Sequence, residues 1–308
     1  MRVMMSAAMA ALTIAACTPA EVPERPNESR ATQQPAVQST DVHAFRIGAL
    51  EAWSLKDSDM SLPVDGADTP WKDPAALTAA LQAAGQPGDA VRLSIQPLLV
   101  RDGDRLVLID TGVGQMMGMQ GRLAASLQSA GVDPASVTDI MISHAHGDHL
   151  GGLVGPDGTL RFPNAVIRMS EPEWAYAQAG AEAAGAGDLL AAIRPRVQAF
   201  APGAQVTPSI RAVPLAGHTP GHTGYEIVSG ADRLLYFGDA MHSSIVSVGR
   251  PDLANAWDLD GAAGAQTRAD LLARAADGNL RLYGGHFPWP GVGRIERAGD
   301  RYRWLPES

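Results

Sequence analysis

The sequence predicts an α/β fold in which two β-sheets pack together and helices cover their outer faces. Three observations lead there. Runs rich in Val, Ile and Leu recur in groups bounded by Gly-rich turns. Segments with helical spacing fall between and outside those groups, the pattern of sheets sandwiched by helices. One apolar run, finally, ends directly on a cluster of histidines, as a strand does when it delivers side chains to a site.

In chain order, strands are expected over residues 44–50, 91–100 and 105–110, each rich in residues that suit a pleated, buried surface. A helix is expected over 74–84, in an insertion, and a second over 121–130, where apolar residues recur at helical spacing. Residues 138–143 read as a buried strand. Further strands fit 165–169, 210–215, 224–228 and 233–237, and helices fit 171–178, 187–200 and 266–276. Periodicity alone does not fix the strand order. There is no internal repeat, and a single domain is expected over 42–308.

The chain has 308 residues, 45% of them hydrophobic, enough for a sizeable core. A net charge of −9 without a basic stripe argues against a nucleic-acid phosphate partner. Residues 1–16 read as a signal peptide: Arg2 is followed by an apolar run too short to span a bilayer. The run ends in Ile14-Ala15-Ala16-Cys17, which resembles the lipobox of bacterial lipoproteins. Cys17 is the only cysteine, so neither a disulfide nor a cysteine metal ligand is expected in the mature chain. A lipid on Cys17 is the expected membrane partner, with Thr18 favouring the periplasmic face of the outer membrane. Residues 17–41, rich in Pro, Glu, Gln, Ser and Thr, read as a disordered tether.

Chemistry concentrates at Ser143-His144-Ala145-His146-Gly147-Asp148-His149-Leu150. Alternation along a strand lets His144 and His146 face the same way. The turn after them lets Asp148 and His149 face a second point nearby. Imidazole and carboxylate together suit Zn²⁺ and similar divalent ions, and Gly147, Gly151 and Gly152 permit a tight turn.

His144-Ala-His146-Gly-Asp148-His149 resembles the HxHxDH signature of the metallo-β-lactamase superfamily. Other blocks of the family pattern follow in order: Gly217-His218-Thr219-Pro220-Gly221-His222, Gly238-Asp239-Ala240 and Gly285-His286, with Leu108-Ile109-Asp110-Thr111-Gly112 upstream. The resemblance spans residues 42–305 and implies an αββα sandwich, two mixed sheets flanked by helices. It also implies two divalent ions, zinc by default. His144, His146 and His218 hold one; Asp148, His149 and His286 hold the other; Asp239 bridges them. Asp110 supports a ligand from behind. His222 either orients a ligand or caps its turn, and His43 falls outside every motif as a surface histidine. Gly121-Arg122-Leu123, Phe162-Pro163-Asn164-Ala165 and the segment from His286 to Gly293 resemble the branch holding methyl parathion hydrolase and related lactonases and arylesterases.

Two ions can share a hydroxide, lower its pKa and clamp attacking and leaving oxygens. The branch resemblance implies a small apolar lactone or aryl ester as substrate, with phosphotriesters as a side activity. A zinc β-lactamase is disfavoured by Asp239, and a glyoxalase-II-like thioesterase by export and by the lack of basic glutathione contacts. Met116, Met117, Met119, Trp174, Tyr176, Phe287 and Trp289 lie near the motifs; Phe287 and Trp289 are the preferred pocket residues. His242, three residues after Asp239, is expected to lean over the ions and assist the carbonyl or leaving oxygen, making Asp148, Asp239 and His242 the catalytic set. The alternative is a histidine turned to solvent. Whether the chain forms a homodimer is left open.

Overall fold

The computed structural model describes residues 40–181 and 183–307. The signal peptide, Cys17 and nearly all of the tether lie outside these. The first half of the chain runs β1 (Val42–Ile47), β2 (Leu50–Leu55), β3 (Ser58–Pro63), α1 (Pro74–Ala83), β4 (Ala90–Ile95), β5 (Leu98–Asp102), β6 (Arg105–Ile109), α2 (Leu123–Ser129), β7 (Asp139–Met141), α3 (Gly147–Leu150), β8 (Val166–Ser170), α4 (Glu171–Gly180), α5 (Gly187–Ile193) and β9 (Val197–Phe200). The second runs β10 (Ile210–Pro214), β11 (Thr223–Ser229), β12 (Asp232–Tyr236), α6 (Val246–Gly249), α7 (Gly261–Asp277), β13 (Arg281–Tyr283), β14 (Val292–Ala298) and β15 (Arg301–Pro306).

Both large sheets are mixed. One has the order β1-β2-β5-β6-β7-β8-β9, the other β10-β11-β12-β13-β14-β15, and β3 pairs with β4 in a separate ribbon. Apolar residues of the two sheets meet between them, where Leu98, Val107, Ile109 and Met141 pack with Tyr225, Ile227, Leu234 and Tyr283. A second core lies between the first sheet and its helices, including Leu123 and Leu127 of α2 and Leu190 and Ile193 of α5. A third joins Leu271, Leu272 and Ala275 of α7 to Leu235 and Leu282 of the other sheet. The layers are therefore helix, sheet, sheet, helix, as expected.

Several element boundaries differ from the sequence expectation. The run 91–100 is two strands in different sheets, because Pro97 has no amide hydrogen to continue a ladder. The helix expected over 187–200 stops at Ile193; Pro195 follows in a 3₁₀ turn, and Val197–Phe200 joins the first sheet as β9. Gly48, at φ 55°, turns the chain between β1 and β2 where one strand was expected. The hairpin of β14 and β15 was not anticipated: it leaves much of its surface to solvent, so arginines and glutamates mask its alternation. Among the described residues, no helix is long and apolar enough to cross a membrane.

Candidate metal centre

Strand ends of both sheets converge on one site. β7 leads into Ser143 and His144, and α3 carries Asp148 and His149. The turn before β11 carries His218, the end of β12 leads to Asp239, and the turn after β13 carries His286. The expected ligand residues form two groups whose ligand atoms lie within 4.8 Å of one another: His144, His146, His218 and Asp239 in one, Asp148, His149 and His286 in the other.

In the first group, His146 Nδ1 lies 3.0 Å from both His144 Nε2 and His218 Nε2, and the latter two are 3.2 Å apart. A tetrahedral ion with bonds of about 2.0–2.1 Å separates its ligands by about 3.3 Å, so these spacings suit a zinc-sized cation. Asp239 faces both groups. Its Oδ2 lies 3.4 Å from His218 Nε2, while its Oδ1 lies 3.3 Å from His149 Nε2 and 3.1 Å from His286 Nε2.

The outward nitrogens show which lone pairs face inward. His286 Nδ1 donates to the Ser94 carbonyl at 2.8 Å, and His149 Nδ1 donates to Asp110 Oδ2 at 2.7 Å. His218 Nδ1 meets Asp258 Oδ1 at 3.2 Å. With the proton fixed outside, each Nε2 is left as an electron-pair donor toward the centre, the tautomer a metal ligand needs. His149 Nε2 and Asp239 Oδ1 are buried and have no hydrogen-bond partner among the described residues. Buried polar atoms are rarely left so. The residues fit divalent cations.

The electrostatics agree. Burial drives His144 well below the ordinary imidazole value and, with His218 nearby, takes His146 down to about 4. Burial also opposes charge on His286, but the Asp239 carboxylate prevails and raises it to about 9. His149 likewise rises well above its usual value, against burial, because Asp239, Asp148 and Asp110 surround it. Burial opposes the charge on Asp239 too, yet His286, His149, His144 and His242 hold its carboxyl well below the usual range. The carboxylates thus demand positive charge at the centre.

His222 does not face the centre. Its Nδ1 donates to the Leu215 carbonyl at 3.0 Å, and its Nε2 accepts from the Asp239 amide at 2.9 Å. It fixes the backbone of Asp239, and burial lowers its pKa to about 3. Asp110 accepts from the Ser143 hydroxyl and the Tyr236 hydroxyl, both at 2.6 Å, besides His149.

His242 is buried, which excludes the solvent-facing alternative. Its Nε2 stands 3.1 Å from Asp239 Oδ2, too poorly aligned for a hydrogen bond. Asn255 Oδ1 accepts from the Trp257 amide at 3.0 Å, so its NH₂ group is the one facing His242 Nδ1, also at 3.0 Å. Nδ1 is then the acceptor and Nε2 carries the hydrogen. Burial lowers the pKa of His242, which keeps that donor neutral.

A cavity of about 430 Å³ opens above the groups, lined by His146, Asp148, His218, Asp239, His242 and His286 and by Met60, Leu93, Met117 and Trp257. Met117, noted near the motifs but not preferred as a pocket residue, thus lines the cavity. Phe287, a preferred pocket residue, is instead fully buried, its ring centroid 5.0 and 4.9 Å from those of Phe237 and Trp304. With His286 anchored to Ser94 on one side of the turn, its neighbour is directed to the other. Trp289 lines a neighbouring groove instead, and Trp174 packs beneath Arg194. His43 is half-buried on β1, its ring beside Phe45.

Sequence reasoning missed Asp258, Asn255, Trp257 and Glu173. Glu173 is fully buried; its Oε1 accepts from the Ala145 amide at 2.7 Å, and its Oε2 from the Thr219 hydroxyl at 2.7 Å and the Gly221 amide at 2.9 Å. It joins the loops bearing His144, His146 and His218. Ser170-Glu171-Pro172-Glu173 fits a capping box, a signal for the position but not for this redirected carboxylate. Glu173→Ala would strand three donors, each worth about 1–3 kcal/mol when left unsatisfied. The expected loss is at least about 3 kcal/mol, read as a lower denaturation midpoint with an unchanged m-value; a shift under about 1 kcal/mol would refute the buckle.

Residues 92–286 match the family model of the metallo-β-lactamase superfamily. The chain belongs to the metallo-β-lactamase superfamily. It is a metal-dependent hydrolase of that superfamily, with a His/Asp metal-binding cluster. Among solved structures it is similar to AidC, a dizinc quorum-quenching lactonase in complex with a product, N-hexanoyl-L-homoserine: 29% identity, TM-score 0.80, covering 87% of this chain and 97% of that one. It is also similar to the hydrolase AbOPH of the β-lactamase superfamily (26%, TM-score 0.78, 88% and 99% covered). A probable metal-dependent hydrolase from Staphylococcus aureus shares the fold at 16% identity and TM-score 0.71, with 86% and 99% covered. No curated protein sequence matches the chain.

Proposed function

We propose that this metallohydrolase uses two divalent ions, zinc by default, to open lactones and cleave aryl esters, with aryl phosphotriesters as a side activity. The observation that carries the reading is the cavity: its floor is the ligand cluster, its walls are Met60, Leu93, Met117 and Trp257, and a neutral imidazole donor, His242, stands at its edge. Methionine and aromatic walls suit an apolar substrate and exclude water. The likeness to AidC supports lactones in particular.

When bound, the ions supply Lewis acidity and a water of lowered pKa. His144, His146, His218, Asp148, His149, His286 and Asp239 would hold them. The chain's own residues do the rest. The apolar walls place the ester or lactone carbonyl over the floor. His242 Nε2–H donates to the carbonyl or leaving oxygen, Asp148, which faces the cavity, takes up the proton released by the attacking water, and Asp239 stays ionised between the two ligand groups and holds the floor together.

The test is one panel: purified protein against aryl esters, aromatic and acyl-homoserine lactones, paraoxon-type triesters and nitrocefin. Lactones and aryl esters are expected to give the highest kcat/KM, and triesters a lower one. Nitrocefin as the best substrate would overturn the proposal.

A further inference from the structure

We infer that Asp57 is a positioning residue: its buried carboxylate closes the loop of residues 112–123 and so sets where Met117 stands over the metal centre. Asp57 lies between β2 and β3 and is 1% exposed. Its Oδ2 accepts from the Val113 amide and its Oδ1 from the Leu123 amide, both at 2.9 Å. Its carbonyl accepts from the Arg122 amide, also at 2.9 Å, and the Gly121 amide closes the neck on the Gly114 carbonyl at 2.8 Å. Both ends of the loop therefore finish on one residue. Gly112 and Gly121 leave the carboxylate its space, since a Cβ at either would overlap it. Arg122, the neighbouring cation, donates from Nε to the Asp57 carbonyl at 3.4 Å and turns its terminal nitrogens to Asp41 and Asp59. The Asp57 carboxylate serves backbone amides.

The tip of the loop is a single 3₁₀ turn, Met116–Gly118, with Met117 at φ 59°, a conformation few residues with a side chain adopt. Met117 is 55% exposed, yet it lines the cavity above the ligands. From below, the loop rests on the ligand-bearing helix. The Thr111 amide donates to the His149 carbonyl at 2.9 Å and the Gly152 amide to the Gly112 carbonyl at 3.2 Å; a Cβ at Gly151 would overlap the Val113 carbonyl. A Cβ at Gly147, between ligands His146 and Asp148, would touch Met117 at 3.4 Å and Met116 at 3.5 Å. The height of Met117 above the ligands is set by α3, and its sideways position by Asp57. Asp57 touches no ligand, so it acts on substrate only through this loop.

The inference rests on the lactone and ester reading above for its kinetic consequence, but not for the clamp itself. Two variants of the holoenzyme and their combination test it. Asp57→Asn keeps the size but turns one acceptor into a donor facing an amide N–H; Met117→Ala removes the side chain the loop presents. Each is expected to raise KM for aryl esters and aromatic lactones about tenfold, the scale of one charge-assisted hydrogen bond, with kcat within about twofold and metal content kept. The double variant should be no worse than either single one, because both act through the same contact. In Asp57→Asn the amides of residues 113–123 should exchange hydrogen faster while those of α3 do not. Should that variant not fold, Gly121→Ala, whose methyl displaces the same carboxylate, is expected to give the same KM increase and exchange pattern. Additive KM increases, a loss confined to kcat, or unchanged exchange would overturn the assignment. If the wild-type enzyme turns over no lactone or ester, the substrate reading has failed, and the exchange comparison alone decides the clamp.

Discussion

Asp239→Asn is expected to lower lactone and ester turnover by about 10³-fold, the upper range for removing one electrostatic contributor from a reaction centre. The reason is geometric. Among the described residues, Asp239 is the one side chain whose two oxygens face the two ligand groups separately, Oδ2 toward His144 and His218 and Oδ1 toward His149 and His286. An amide offers one oxygen and turns an NH₂ group toward the other, so it cannot serve two cations at once. Its neutral charge also removes the carboxylate around which the four imidazoles are arranged. Metal analysis of the variant should show a deficit that matches the lost rate. A variant that keeps full metal content and more than half of kcat would remove the bridging role.

His242→Leu should lower turnover of lactones and aryl esters by about 10²-fold, the low end for a positioned proton donor. Leucine fills a comparable space between Trp257 and His286, whose rings lie 4.9 and 5.8 Å from the imidazole, so packing is largely kept. What is lost is the Nε2–H, held in its tautomer by Asn255. Metal content should not change, because the imidazole's neighbours, not His242, form the two ligand groups. Phosphotriesters with good leaving groups should suffer less, since their leaving oxygen needs little help. Equal losses on both classes would mean that the site had collapsed. No loss on either would leave His242 without a role in the reaction.

Legibility in the sequence followed how local each interaction is. The ligand blocks could be read because short segments hold them: a strand end delivers His144 and His146, and one turn adds Asp148 and His149. The layered architecture could be read from grouped apolar runs, whereas strand order could not, since β2 pairs with β5 across the intervening ribbon. The supports of the site were mostly invisible for the same reason. Asp258 reaches His218 from 40 positions away, and Ser94 meets His286 across 192. Neither carries a local pattern. Phe287 and Trp257 show the limit for pocket walls: adjacency to a ligand in sequence placed Phe287 in the core, while Trp257, far from every motif, lines the cavity.

The proposed function requires the two ligand groups to act as one dinuclear site on lactones and esters. Its most direct test is to strip the protein with a chelator and titrate zinc back while following hydrolysis of an aromatic lactone. Activity should be abolished by chelation and return in proportion to bound zinc up to close to two equivalents per chain, one for each ligand group. Full activity at a single equivalent, or hydrolysis that survives complete removal of metal, would contradict the account.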